Sequence, residues 1–272
     1  MIQLLKVEWA KAFWNKHFFG ALFVGIAMSC IHIVTSILPN LPVPLELSQL
    51  DTPYNLWMGI DGMNAMHFSF YFILPLLVAI PYSDSLWLDR KNGYMYMKVS
   101  IIRTTRRKYY SSKFVICFIM GFLVVMCTLM FDFMAASMLL PSALPPHPSF
   151  GPYYYLQTLE YFVGVYYTSP LLFVMMYTGI ASLYGAIFSC FCFSLSFLVN
   201  NKFVILSGAF ILMLFLYGIQ VPDPFIPVQI IKAHTSVRIS DIPLYWTVDG
   251  LVLLGLTIAI TIWGARKKDV LQ

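Results

Sequence analysis

The chain has 272 residues, 60% of them apolar and only 11% charged, with a formal net charge of +5 and a mean hydropathy of +0.77. Soluble domains carry roughly 25% charged residues, so a soluble globular protein of this composition would lack the polar surface to stay in solution. The small positive balance sits between apolar runs, so it reads as membrane topology and excludes nucleic acid as a partner.

From the start of the chain, Ile2, Leu5, Trp9 and Phe13 recur at helical spacing, with Glu8, Lys11 and Asn15 roughly opposite. This predicts a helix over 1–17 lying at the inner interface, with Lys6, Lys11 and Lys16 near anionic head groups. A simple inward extension of the first span is the alternative. Lys6, Glu8, Lys11 and Lys16 within the first run, with no small-residue cleavage site behind it, argue against a cleaved signal peptide.

Six apolar runs follow, over 18–38, 68–88, 114–140, 170–199, 203–220 and 246–264. About 20 apolar residues cross a hydrocarbon core of about 30 Å as a helix. The fold class expected is therefore all-α: one polytopic membrane domain over 1–272 with six transmembrane helices. Asn200, Asn201 and Lys202 alone separate the fourth and fifth runs, which predicts a tight helical hairpin.

Lysine and arginine set the sidedness. With the N-terminus inside, the inner side holds Lys6, Lys11 and Lys16, eight residues of the 89–113 segment, Lys202, and Arg266 to Lys268. The outer side holds only Lys232 and Arg238. Both termini are thus expected to be cytoplasmic. The three outer segments, 39–66, 141–169 and 221–245, are rich in proline and aromatic residues, which suits stiff loops at the head-group level.

Charge inside a membrane is expensive and draws functional suspicion. His32 falls in the outer half of the first run and Asp132 about two-thirds through the third; Glu160 lies near the outer boundary. These three are candidates for a substrate or gating role, against helix packing for Asp132 and interfacial solvation for His32 and Glu160. The five cysteines (30, 117, 127, 190 and 192) all lie in apolar runs, which argues against a disulfide framework. A small-residue stripe in the fourth run, through Ala181, Gly185 and Ser189, fits close helix packing, within the chain or between subunits.

No phosphate-binding Gly-Lys-Ser/Thr loop, His-Glu-x-x-His or Gly-x-Ser-x-Gly is present, so the chain carries no recognisable ATPase, zinc-protease or serine-hydrolase core. No cofactor, metal or catalytic residue is expected in it.

The densest charge lies between the second and third runs. It reads Asp89-Arg90-Lys91-Asn92-Gly93, an apolar stretch with Met95, Val99 and Ile102 on one edge, then Thr104-Thr105-Arg106-Arg107-Lys108 and on to Lys113-Phe114. Thr104 or Thr105 could cap the helix that enters the third run. This pattern resembles the type-2 ABC exporter permeases, whose corresponding loop has an acid, Asn-Gly, an apolar stretch, a Ser/Thr-Arg pair and a Lys at the next span. The opening Met-Ile-Gln-Leu-Leu-Lys-Val-Glu-Trp also resembles that family's interface helix. The chain departs from the pattern in two respects: Arg103 and Thr104 stand where a proline often precedes the Ser/Thr-Arg pair, and Tyr94 follows the glycine where Thr or Ser is common.

The resemblance implies a cytoplasmic coupling helix between spans two and three. Asp89, Asn92, Gly93, Val99, Ile102, Thr105, Arg106 and Arg107 would form the ATPase-coupling element. It further implies cytosolic ABC ATPase subunits that hold ATP and magnesium, a second permease copy or a related permease, and a bacterial plasma membrane. The expected function is export of a hydrophobic or amphipathic substrate such as a peptide, lipid-like molecule or drug. The alternative from another class is an ATPase-independent ion-coupled carrier, channel or antimicrobial-peptide immunity factor, with Asp132 and His32 binding a proton or cation.

Overall fold

The computed structural model describes residues 2–41, 51–62, 64–95, 97, 105–141, 144, 162–233 and 242–270. Among these, every regular element is a helix. Helix α1 spans Ile2–Phe13. Helix α2 spans Lys16–His32 and continues through a π-helical stretch, Ile33–Ile37, to Leu38–Asn40. Then come α3 (Ala65–Leu77), α4 (Ser85–Lys91), α5 (Arg106–Leu139), α6 (Val163–Thr168), α7 (Pro170–Leu195), α8 (Lys202–Gly218), α9 (Pro227–Ile230) and α10 (Ile242–Val270).

Among the described residues, four helices are long and apolar enough to cross a membrane: Lys16–Asn40, Arg106–Leu139, Pro170–Leu195 and Ile242–Arg266. Helices α3 and α8 are also apolar but have only 13 and 17 residues, about 20 and 26 Å at 1.5 Å per residue.

The second expected span departs from a continuous helix over 68–88. Helix α3 stops at Leu77, the chain turns through 78–84, and α4 starts at Ser85. Pro81 explains the break: it offers no N–H to the ladder and disfavours helical geometry at Ile80. Asn15 takes up a freed carbonyl, its Nδ2 donating to Pro81 O at 3.2 Å. The turn is also tied to α7, where Ser83 Oγ donates to the Ser189 carbonyl at 3.0 Å.

The third helix begins at Arg106, where a cap at Thr105 places it, ahead of the apolar run that starts near Phe114. Its 34 residues make it about 51 Å long. Two extra turns therefore extend beyond the apolar run. Thr105 does occupy the N-cap position, but its side chain makes no capping hydrogen bond. The hairpin forms as expected, but α7 already ends at Leu195, so residues 196–201 make the connection, with Asn201 capping α8 through Phe203 N.

Helices α5 and α7 form the spine, with the most extensive helix–helix contact in the bundle; α1 and α2 pack on α5, and α8 and α10 on α7. Small residues permit that closeness. A Cβ added at Gly121 would stand 2.9 Å from the Gly185 carbonyl oxygen and 2.6 Å from Ser189 Cβ. The small-residue stripe of α7 is thus spent on packing within the chain. All five cysteines are free thiols, and Cys117, Cys190 and Cys192 are buried.

Candidate functional site

Two buried polar clusters lie at opposite ends of the bundle. At the basic end, where α1 meets the start of α5, Lys113 is the centre. Its ammonium is fully buried, 2.9 Å from Asp89 Oδ2 and 3.3 Å from Glu8 Oε2, and it donates at 3.4 Å to the Ser85 carbonyl. The rings of Tyr82 and Tyr109 lie 5.1 and 5.4 Å from it. Tyr82 OH donates to Glu8 and Tyr109 OH to Asp89. Lys11 completes the set, 2.7 Å from Asp89 Oδ1. Among the described residues two carboxylates face two ammonium groups, and such pairing is the condition under which buried charge is tolerable.

Burial alone would raise the Asp89 carboxyl. The charge of Lys113, with hydrogen bonds from Lys11, Tyr109 and Lys113, outweighs that and holds it well below the usual carboxylate range.

The cluster reverses one expectation for α1. Glu8 does not belong to an exposed polar face: it is fully buried, in a stripe with Leu4 and Ala12, while Trp14 and Val7 are exposed. Lys11 pairs with Asp89 where a lipid head group was expected. A buried carboxylate needs partners, and Lys113 and Tyr82 supply them to Glu8.

Helix α4 carries ties in a second direction. Arg90 Nη1 donates to the Ser196 carbonyl at 2.7 Å, and its guanidinium lies 5.1 Å from the Phe197 ring. Trp87 Nε1 donates to the Asn200 carbonyl at 2.8 Å, and Lys202 pairs with Asp84 at 2.9 Å. Through Asp89 the helix is fastened to α1 and α5; through Asp84, Trp87 and Arg90 it is fastened to the α7–α8 corner. Gly93 then ends it with φ +70°, a left-handed turn that glycine adopts at least cost. Asn92 is the C-cap, and its N–H bonds to the Leu88 carbonyl at 3.0 Å.

Of the expected coupling residues, Asp89, Asn92, Gly93, Thr105, Arg106 and Arg107 fall at this end. Arg107 is exposed and Arg106 half-buried. Val99 and Ile102, with the rest of the expected coupling helix over 98–104, lie outside the described residues.

At the opposite, proline-rich end, the structure joins two of the three intramembrane candidates. His32 Nδ1 is 2.9 Å from Asp132 Oδ1, and both side chains are fully buried. Asp61, from the segment before α3, stands 3.2 Å from the other ring nitrogen. Ser36 donates to the same Asp61 oxygen, and Met58 N donates to Asp132 Oδ2 at 2.6 Å. The π-helical stretch that follows His32, with its wider i→i+5 turn, carries Ser36 to this oxygen. An imidazole that faces a carboxylate at each nitrogen needs one proton beyond its neutral form, on the ring or on a carboxyl, to bond both. The three side chains are therefore joined through one shared proton.

Glu160, the third candidate, lies outside the described residues. Asp61 escaped sequence reading because a loop acid 29 positions from His32 gives no periodic signal; Glu8 escaped because it looked like surface charge, and Lys113 stood out only as the last residue of the basic motif. Among the described residues, no group of three or more His, Cys, Asp or Glu could hold a metal ion. No family model, curated protein or solved structure matches the chain.

Proposed function

We propose that the protein is the membrane-spanning permease subunit of an ATP-binding cassette exporter. In this reading the basic end faces the cytoplasm of a bacterium, and separate ATPase subunits bind there. A second permease, identical or related, completes the path for a hydrophobic or amphipathic substrate. The supporting observation is the double fastening of α4. A push on the 89–113 segment would reach α1 and α5 through Asp89 and the α7–α8 corner through Arg90, so one short helix could move both halves of the bundle.

The test is copurification with an ABC ATPase of the same cell, sought first among the neighbouring genes. Arg106→Glu with Arg107→Glu should abolish the complex by reversing the charge on the outermost turn of α5. Asp89→Asn should leave the complex intact and uncouple substrate from ATP hydrolysis. Normal complex formation and normal substrate-stimulated hydrolysis in all these variants would sink the proposal.

The His32–Asp61–Asp132 unit favours a second reading, an ion-coupled carrier that needs no ATPase. Uptake by liposomes holding this chain alone, driven by a proton gradient and lost in Asp132→Asn, would select it.

A further inference from the structure

A groove of about 410 Å³ lies beside α3 and α8 at the proline-rich end. Phe68 and Phe72 of α3 and Leu214 and Tyr217 of α8 form its walls, and Gln229 and Lys232 close it. The walls are open: Phe68, Phe72 and Leu214 are each more than 40% exposed. Lys232 is the opposite, only 6% exposed. Its Nζ donates to Gln229 Oε1 at 2.9 Å and lies 4.9 Å from the Phe68 ring.

Among the described residues no carboxylate pairs with Lys232. A buried ammonium whose only partners are an amide and a ring remains short of negative charge. Burial lowers its pKa to about 8, against a smaller opposite pull from Asp223, so it stays largely cationic at neutral pH. The groove thus presents one cation at the end of an apolar channel.

We propose that this groove binds an anionic phospholipid, with the phosphate on Lys232 and Gln229 and an acyl chain along Phe72 and Leu214. Charge complementarity selects the head group. The apolar walls select a lipid over a free anion, since they offer inorganic phosphate nothing. The site stands on the fold alone and is independent of whether an ATPase docks at the other end.

Native mass spectrometry of the full chain with phosphatidylglycerol or phosphatidylcholine tests it. Wild type should retain phosphatidylglycerol in preference, and Lys232→Gln should weaken that binding about tenfold, to the phosphatidylcholine level. Lys232→Arg guards against a folding defect: it should keep the preference.

The pH response separates the two cationic variants. Wild-type binding should weaken as pH rises through about 8 and Lys232 loses its proton, whereas Lys232→Arg should not respond. Asp223 and Tyr217 are the other titratable groups beside the lysine and are common to both proteins. Equal retention of the two lipids by wild type, undiminished phosphatidylglycerol on Lys232→Gln, or displacement by millimolar inorganic phosphate would overturn the proposal.

Discussion

The two buried clusters use the same residue chemistry toward different ends. At the basic end, two carboxylates meet two lysines, and the partners come from four different stretches: α1, the turn before α4, α4 itself and α5. At the proline-rich end, two carboxylates meet one imidazole. Among the described residues the first arrangement matches each carboxylate with an ammonium, whereas the second sets two carboxylates against one imidazole. A matched cluster suits a rigid joint; one that shares a proton suits a group that changes state. The bundle keeps its joint where the chain is basic and its proton-sharing unit where the chain is rich in proline.

The severest way to break this contrast is to unbalance the joint. Lys113→Met would leave Glu8 and Asp89 buried with no central cation. Removing one partner of a buried ion pair costs about 3–5 kcal/mol, so the apparent unfolding temperature of the purified chain in detergent should fall steeply. A change near zero would show that the cluster is not an electrostatic unit.

The proline-rich end should yield less. His32→Ala removes the donor between Asp61 and Asp132 and should cost about 1.5–3 kcal/mol, the range for hydrogen bonds to charged groups. Asp132→Asn should cost less, because its amide oxygen can still accept from Met58 N. The same unfolding measurement ranks the two, and the reverse order would remove His32 from the centre of the unit.

Asp89 provides a pH test of the joint. Its carboxyl is held below the usual range in the folded chain, so its contribution is present above the unfolded pKa of about 3.9 and is lost as pH falls. Asp89→Asn should therefore cost on the order of 2 kcal/mol near neutral pH. The wild-type and variant stability curves should converge as pH drops below the ordinary carboxylate range.

Much of this architecture is legible in the sequence because hydropathy and charge are local signals. The apolar runs locate the long helices, and the three-residue gap at Asn200 to Lys202 marks the hairpin. His32 and Asp132 stand out as polar residues in apolar runs. What stays hidden depends on the third dimension. Glu8 reads as surface charge on the assumption that a polar face meets water, and α1 inverts that assumption. The break after Leu77 is signalled by Pro81, but proline is common enough in membrane helices that hydropathy outvoted it. Asp61 joins His32 only because the segment before α3 folds back onto the bundle, which no spacing encodes.

The finest distinction lies within the joint, between the two lysines that share Asp89. Lys113 is fully buried, whereas the Lys11 side chain is 37% exposed. Water and salt reach Lys11 and screen its attraction, so Lys11→Met should cost no more than about 1 kcal/mol. That small loss should shrink further as salt shortens the screening length from about 10 Å at 0.1 M to about 3 Å at 1 M. The loss in Lys113→Met should be nearly indifferent to salt, since no ions reach its partners. Parallel salt series on the two variants thus separate the exposed rim of the joint from its core. Equal salt responses would mean that both lysines see the same medium, and that the burial of Lys113 does not set its strength.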